Sequence, residues 1–100
     1  MPHVLVVHDS ESVRSELARE LQAEGFHVAE ADSASAAVRE IWGGSYVAAL
    51  IGDRLSMNGS SLEDHLKSIA PEIVTLPIGR ESPARLARKV ADILDGAVAA

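Results

Sequence analysis

The sequence predicts an α/β domain in which four parallel strands alternate with four helices. Short apolar runs bounded by turn residues are each followed by a longer segment whose apolar residues recur every three or four positions. The connections between these segments are short throughout. Alternation of this kind is typical of a mostly parallel sheet with helices on both faces, which is a doubly wound arrangement.

The first strand is the continuous apolar run Val4–Val7, as expected of a strand that is covered on both faces. Asp9 or Ser10 can cap the helix that follows, and Gly25 stops it. The alternating segment Phe26–Ala31 predicts the second strand. These segments form the first strand–helix unit and the beginning of the second.

The second helix starts at Asp32 or Ser33 and ends at Gly43–Gly44. The run Val47–Ile51 predicts a third buried strand, and the sequence GDRLSMNG after it is rich in residues that break helices and strands. This part of the chain therefore predicts a helix, a strand and a loop.

A capping box, in which Ser60 is followed three residues later by Glu63, predicts the start of a third helix. A fourth strand follows at Ile73–Leu76. Ser82–Pro83 places a cap and then a proline at the first position of the last helix, and Gly96 is a natural stop for it. We therefore expect one domain over residues 1–96 and a tail or linker over residues 97–100.

Composition excludes some classes of function. The chain has 100 residues and a net charge of −6, which argues against direct contact of this domain with nucleic acid. It has no cysteine, so disulfides, cysteine zinc sites and thiol nucleophiles are excluded. No apolar run is long enough to cross a membrane, and the N-terminus does not resemble a signal peptide. These features predict a cytoplasmic protein.

Parts of the sequence resemble the response-regulator receiver family. The stretch VLVVHDSESVRSEL matches the family's first strand and helix, with Arg14 and Leu17 in place. SYVAALIGDRLSMNG resembles the strand and loop that carry the phosphate-accepting Asp, and PEIVTLP and ESPARLARKVADIL resemble the fourth strand and the last helix. The resemblance implies a flavodoxin-like sheet in the order 2-1-3-4. It also implies five strand–helix units, of which this chain has four.

The departures from the family lie in the phosphorylation pocket. The family's acidic pair is replaced by His8 and Asp9, and an alignment without gaps puts Gly52 at the nucleophile and Asp53 one position later. Pro77 stands at the switch hydroxyl, and the phosphate-pairing Lys has no counterpart. Mg²⁺ prefers hard oxygen ligands, and a slip of one residue along a strand turns a side chain to the other face. We therefore expect a degenerate pocket with no catalytic residue, metal or cofactor.

The single residues of this pocket allow other interpretations. His8 is either a metal ligand or a hydrogen-bonded residue at a strand end, and the second is favoured. Asp9 either holds a cation or caps the first helix. Asp53 is either a displaced phosphate acceptor or an ordinary turn residue, with the turn favoured. Trp42 is expected to pack in the core or at its rim, whereas an exposed Trp there would indicate an interface.

We predict a pseudo-receiver that is not an enzyme and that acts through protein–protein contacts in a bacterial signalling or transcription regulator. Its partner would be a second copy of itself or another regulatory protein. Loss of one unit leaves Ile73, Val74 and Leu76 on an edge strand, which invites pairing with another chain. The first alternative is a phosphorylatable receiver that uses Asp53 with Asp9 and Mg²⁺. The second is an unrelated α/β domain that binds a ligand at its strand ends.

Overall fold

The computed structural model describes residues 3–52, 56–57, 60–79 and 81–99. Ten elements follow one another along the chain. They are β1 (His3–Val7), α1 (Glu11–Ala23), β2 (His27–Ala31), α2 (Ala34–Gly43), β3 (Ala48–Gly52), β4 (Ser56–Met57), β5 (Ser60–Ser61), α3 (Leu62–Ile69), β6 (Val74–Ile78) and α4 (Pro83–Ala99).

The main sheet has four parallel strands in the order β2-β1-β3-β6. This confirms the predicted fold class and the predicted order 2-1-3-4, since β6 is the fourth strand of the sheet. The chain passes from β6 to α4 through a short connection at residues 79–82, where the resemblance implied a further helix and strand. The edge of β6 therefore has no neighbouring strand among the described residues.

The strands are apolar on both faces because helices cover both faces. Val4 and Val6 pack with residues of α1 and α4 on one side of the sheet. Leu5 and Val7 pack with residues of α2 and α3 on the other side. Since successive side chains of a strand point to opposite faces, this explains the unbroken apolar run of β1. Full burial of each such side chain contributes about 1.5–3 kcal/mol.

Two local predictions about the helices were wrong by a few residues. The cap of α3 is Ser61, whose hydroxyl accepts a hydrogen bond from the backbone N–H of Asp64, and not Ser60. Helix α4 continues through Gly96 to Ala99, so Gly96 does not stop it, while the division into a domain over residues 1–96 and a tail or linker stays a prediction. A glycine lowers helix stability by only about 1 kcal/mol, which a long helix packed on a core can absorb.

The remaining helix ends follow the predicted signals. The hydroxyl of Ser33 accepts a hydrogen bond from the N–H of Ala36 at the start of α2. At α4 the hydroxyl of Ser82 accepts one from the N–H of Arg85. After α1 the chain turns at Gly25, whose φ of 98° lies in the region that glycine adopts without strain. None of the helices that the structure describes is both long and apolar enough to cross a bilayer.

The short strands β4 and β5 were not predicted. They form an antiparallel ladder of two residue pairs, Ser56 with Ser61 and Met57 with Ser60. Asn58 and Gly59, which end the predicted loop GDRLSMNG, lie outside the described residues. The second strand of the ladder, β5, directly precedes α3.

Candidate functional site

The residues aligned with the phosphorylation pocket meet where β1 and β3 end. These strands are neighbours in the sheet, and Val7 is paired with Ile51. The residues that follow this pair are His8, just after β1, and Gly52, the last residue of β3. The carboxyl ends of parallel strands are where doubly wound proteins bind their ligands.

The imidazole of His8 lies against Gly52. A Cβ atom added to Gly52 would be 2.6 Å from Cδ2 of His8, 3.2 Å from its Cγ and 3.3 Å from its Nε2. A separation under 3 Å between carbon atoms is a steric overlap, because van der Waals contact between carbons begins near 3.5 Å. The ring of His8 thus fills the space in which any side chain at position 52 would have to begin.

The ring of His8 is held at its Nδ1 atom. Its Nδ1 accepts a hydrogen bond from the backbone N–H of Ser10 at 2.9 Å, while its side chain is 21% exposed. Oδ1 of Asp9 also lies 3.1 Å from Nδ1. The N–H of Ser10 can only donate, so we take Nδ1 as the acceptor and place the ring proton on Nε2. In this tautomer the approach of Asp9 is not a hydrogen bond.

The carboxylate of Asp9 is largely in solvent, with 83% of its side chain exposed. Asp9 does not cap α1, because the N-cap residue of this helix is Ser10. The hydroxyl of Ser10 makes no capping hydrogen bond. Asp53 lies outside the described residues. Within the described part of the chain, no group of three His, Asp or Glu side chains converges as metal ligands.

Arg14 holds the loop between β1 and α1 in place. Its Nη1 donates a hydrogen bond of 2.7 Å to the backbone carbonyl of His8, and its Nε lies 3.5 Å from Oε1 of Glu30 on β2. The side chain of Arg14 is only 15% exposed. Its charge is therefore used to anchor the backbone of His8 and does not face the pocket. The sequence marks Arg14 as a match to the family but does not indicate this role.

A small cavity of about 220 Å³ adjoins Gly52 between β3, β6 and the start of α3. Among the described residues that line it, Glu63 is the only charged one. Its Oε1 accepts a hydrogen bond of 2.7 Å from the hydroxyl of Thr75 and lies 3.4 Å from Nζ of Lys67. The Thr75 hydroxyl, followed by Lys67, holds the pKa of Glu63 below its usual value. A carboxylate in this position repels a phosphoryl group.

Two further positions of the family's pocket carry no phosphate-binding group among the described residues. Pro77 is an exposed residue of β6, paired with Ile51, and it offers no hydroxyl. The only lysines of the sequence are Lys67, which pairs with Glu63, and Lys89, which pairs with Glu81 at 3.2 Å. Each lysine therefore contacts a carboxylate, Glu63 within α3 and Glu81 just before α4.

The predicted interface residues differ in their exposure. Ile73 is 5% exposed and belongs to the core on the side of α2 and α3. Val74 and Leu76 are partly buried and pack on the side of α1 and α4. The side chain of Ile73 therefore stabilises the domain itself, whereas Val74 and Leu76 retain surface that a partner can cover.

The open edge of β6 offers few backbone hydrogen bonds. The N–H of Val74 donates to the carbonyl of Val47 next to β3 at 3.0 Å. Successive residues of a strand direct their backbone groups to opposite edges, so Thr75 and Pro77 face the open edge. Pro77 has no N–H, and the N–H of Ile73 donates to the carbonyl of Ala70. Thr75 is thus the one residue of β6 with a free N–H along this edge.

Trp42, the only tryptophan of the sequence, is 72% exposed at the end of α2. The expectation that it packs in the core or at its rim is therefore wrong. It borders a groove of about 720 Å³ at the opposite end of the sheet from His8. The helical period placed Trp42 next to apolar positions of α2, but α2 ends one residue later and no neighbouring element covers the ring.

Comparisons with known proteins bear on the fold. No protein-family model matches the sequence, and neither does any curated protein. A CheY-like receiver domain protein from Methanospirillum hungatei JF-1 superimposes with a TM-score of 0.80 at 16% identity, covering 96% of this chain and 95% of that chain. A two-component transcriptional regulator AraC from Clostridium phytofermentans ISDg superimposes with a TM-score of 0.79 at 14% identity, and the match covers 100% of both chains.

A third structure is the response regulator TrrA from Thermotoga maritima, solved in complex with Mg²⁺ and a beryllium fluoride. It is 24% identical, with a TM-score of 0.66, and the match covers 80% of this chain and 72% of that chain. The fold of the present chain is that of a response-regulator receiver domain of the CheY-like type. The edge strand and helix that the resemblance implied beyond β6 are not among its described elements.

Proposed function

We propose that this chain is a pseudo-receiver, a signalling module that passes information through protein–protein contact and does not accept a phosphoryl group. The observation that carries the proposal is the contact between His8 and Gly52. The position aligned with the nucleophile has no side chain, and its space is filled by the residue that replaces a metal-binding carboxylate. The two departures from the family, His8 and Gly52, are thus sterically linked, because the ring of His8 can lie where it does only when residue 52 has no side chain.

The charges around the pocket support the same proposal. Glu63 is the charged residue among the described lining of the cavity, and Lys67 pairs with it. Arg14 donates to the backbone carbonyl of His8, and Lys89 pairs with Glu81. Phosphoryl transfer to a receiver needs Mg²⁺ and a cation for the phosphate, and Mg²⁺ is bound by carboxylate oxygens. On this proposal the protein needs no cofactor.

The alternative is a phosphorylatable receiver in which Asp53 accepts the phosphoryl group and Asp9 holds Mg²⁺. Only Asp9 of this pair is described, and its carboxylate is largely in solvent. The alternative would need Asp9 to turn inward and Asp53 to reach the same ion. We favour the pseudo-receiver because His8 occupies the space between the ends of β1 and β3.

The contacts of such a module would be made with a second copy or with another regulator of a bacterial signalling or transcription system in the cytoplasm. One solved chain of this fold is a response regulator captured with its histidine kinase, ThkA with TrrA from Thermotoga maritima. For the present chain we propose the edge of β6, with Val74 and Leu76, as the surface of self-association. Nucleic acid would be contacted by other parts of a regulator, because this chain carries a charge of −6.

Thermal unfolding in Mg²⁺ tests the absence of a metal site. A ligand that binds only the folded state stabilises it by RT ln(1 + [L]/Kd), which is about 2.7 kcal/mol at a hundredfold excess over Kd. We expect the Tm in millimolar MgCl₂ to equal the Tm in NaCl of the same ionic strength. A Tm that is clearly higher in MgCl₂, and that saturates, would overturn the proposal in favour of the alternative.

A further inference from the structure

The groove beside Trp42 lies at the amino-terminal end of the sheet, far from the ends of β1 and β3. Its walls come from the last residues of α2, the turn between α3 and β6, and Leu94 of α4. Its lining is mainly apolar and includes Ile69, Val74 and Leu94. Trp42 and Val47, which both line it, are 72% and 37% exposed. Large apolar side chains left in water beside a groove mark an interaction surface.

The mouth of this groove is electronegative. Glu72 is the only formally charged residue among the described residues that line it. Tyr46, another lining residue, donates a hydrogen bond of 2.9 Å to the carboxylate of Glu40. Arg39 lies on α2 close to Trp42 in sequence but does not line the groove. No fixed positive charge of the lining therefore balances these two carboxylates.

Helix ends add to the negative potential. Helices α2 and α3 both end at the groove, since its lining includes Gly44 after α2 and Ala70 after α3. The C-terminus of a helix carries about half a negative charge from its aligned peptide dipoles. The last turn of α2 has no basic residue, and Lys67 in α3 is paired with Glu63. Neither helix therefore has an unpaired lysine or arginine in its last turn to offset this negative end.

We propose that this groove is a docking site for a partner segment that combines aliphatic side chains with lysine or arginine. The aliphatic groups would cover Trp42 and Val47, and the cations would lie at Glu72 and at the ends of α2 and α3. A second copy of this chain fits less well, because it carries a net charge of −6 and would bring its own Glu72 to a twofold contact. The inference rests on the proposed role in protein contact, and it names the chemistry of the partner.

Fluorescence provides a direct test, because Trp42 is the only tryptophan. The probe is a short amphipathic helical peptide of leucine and lysine, and its control has the same leucines with glutamate in place of lysine. We expect the lysine peptide to shift Trp42 emission to the blue with saturation, and the shift to require higher peptide concentrations as salt is added. The glutamate peptide should give no shift. No saturable shift, or equal shifts with both peptides, would overturn the inference.

Charge reversal locates the binding. Glu72→Lys should weaken binding of the lysine peptide roughly three- to fivefold, as expected from surface charge pairs worth up to about 1 kcal/mol. Glu16→Lys makes the same change of net charge on an exposed residue of α1, which does not line the groove, and should leave affinity unchanged. Equal effects of the two variants would contradict the site.

The protein without peptide supplies the last comparison. In Leu76→Lys, which should prevent dimers through β6 at a residue that does not line the groove, emission of Trp42 should not change with protein concentration. A blue shift on concentration in this variant would identify a second copy as the occupant and overturn the choice of partner. These outcomes are separate from the Mg²⁺ experiment. If the peptide fails to bind while Mg²⁺ leaves the Tm unchanged, the docking inference fails and the pseudo-receiver proposal stands.

Discussion

His8 and Gly52 form a steric pair: the imidazole of His8 lies 2.6 Å from the position that a Cβ atom on residue 52 would take. The pair links the first residue after β1 with the last residue of β3. The hydrogen bond from the N–H of Ser10 to Nδ1 holds the ring there. A side chain at position 52 therefore requires His8 to leave its place and lose this hydrogen bond.

Substitution of Gly52 should be costly only while His8 is present. We expect Gly52→Ala to lower the free energy of unfolding by about 1–3 kcal/mol, as overpacking does in a core. In a His8→Ala background the same change should cost clearly less, giving a coupling energy of about 0.5–3 kcal/mol. Urea unfolding of the four proteins measures both values.

A matched control for this cycle is Gly43→Ala, because nothing lies within 4 Å of a Cβ added to Gly43. It should be neutral or stabilising by up to about 1 kcal/mol, since alanine is favoured over glycine in a helix. If Gly52→Ala were as mild as Gly43→Ala, or if its effect were independent of His8, the steric pair would not exist in solution.

The carboxylate of Glu63 should titrate below the usual value of 4.5, and mainly because of Thr75. Thr75→Val should therefore raise the pKa of Glu63 more than Lys67→Met does. A group whose pKa is lowered by folding stabilises the protein above its unfolded pKa, and this contribution is lost as the pH falls through the folded pKa. Carboxyl chemical shifts followed by NMR give the pKa values. A larger rise in Lys67→Met would reverse the assigned order of causes.

Tyr46 is the only tyrosine, so its ionisation can be followed by ultraviolet absorbance. Burial, followed by the hydrogen bond to Glu40 and the charge of Glu40, raises its pKa from 10.0 to about 12. The resulting stabilisation is complete below pH 10 and is lost as the pH rises towards 12. Glu40→Gln should lower the pKa only in part, because burial remains. A midpoint near 10 in the unchanged protein would contradict the packing of Tyr46.

Self-association through β6 should be weak. Two antiparallel copies centred on Thr75 can exchange two backbone hydrogen bonds, because Pro77 has no N–H to donate and Ile73 uses its own. Burial of Val74 and Leu76 would add to the contact. We expect light scattering to show dimers at high micromolar concentration and monomers on dilution, with Val74→Lys preventing the dimer.

The same experiment needs a variant that leaves β6 intact. Gln22→Lys adds the same charge as Val74→Lys at an exposed residue of α1, away from β6, and should not change the dimer. A monomer at every concentration, whether or not residue 74 is changed, would exclude the edge of β6 as a self-association surface and leave a different protein as the partner.

Much of the fold could be predicted because its signals are local. Apolar runs and helical spacing fix the strands and helices, and Ser33 and Ser82 cap the helices expected of them. The cap of α3 was misplaced by one residue because Ser60 and Ser61 are both followed by an acidic residue three positions later. The hydroxyl of Ser61 makes the bond, while Glu63 is drawn to Thr75 and Lys67.

The candidate site was predictable as a set of positions but not as a geometry. The alignment marked His8 and Gly52 separately, whereas their contact depends on the register of β1 with β3 and on the rotamer of His8. Likewise, the helical period of α2 does not indicate whether another helix or strand of the fold covers Trp42. Such relations depend on residues distant in sequence, and for that reason only the folded chain shows them.

The most direct test of the central claim is an NMR titration with beryllofluoride and Mg²⁺, which together mimic an aspartyl phosphate. We expect the amide resonances of His8, Asp9, Gly52 and Asp53 not to shift at concentrations of Mg²⁺ and beryllofluoride that saturate a phosphorylatable receiver measured in parallel. Saturable shifts at these residues that depend on both Mg²⁺ and beryllofluoride would contradict the pseudo-receiver proposal and establish the chain as a working phosphate acceptor.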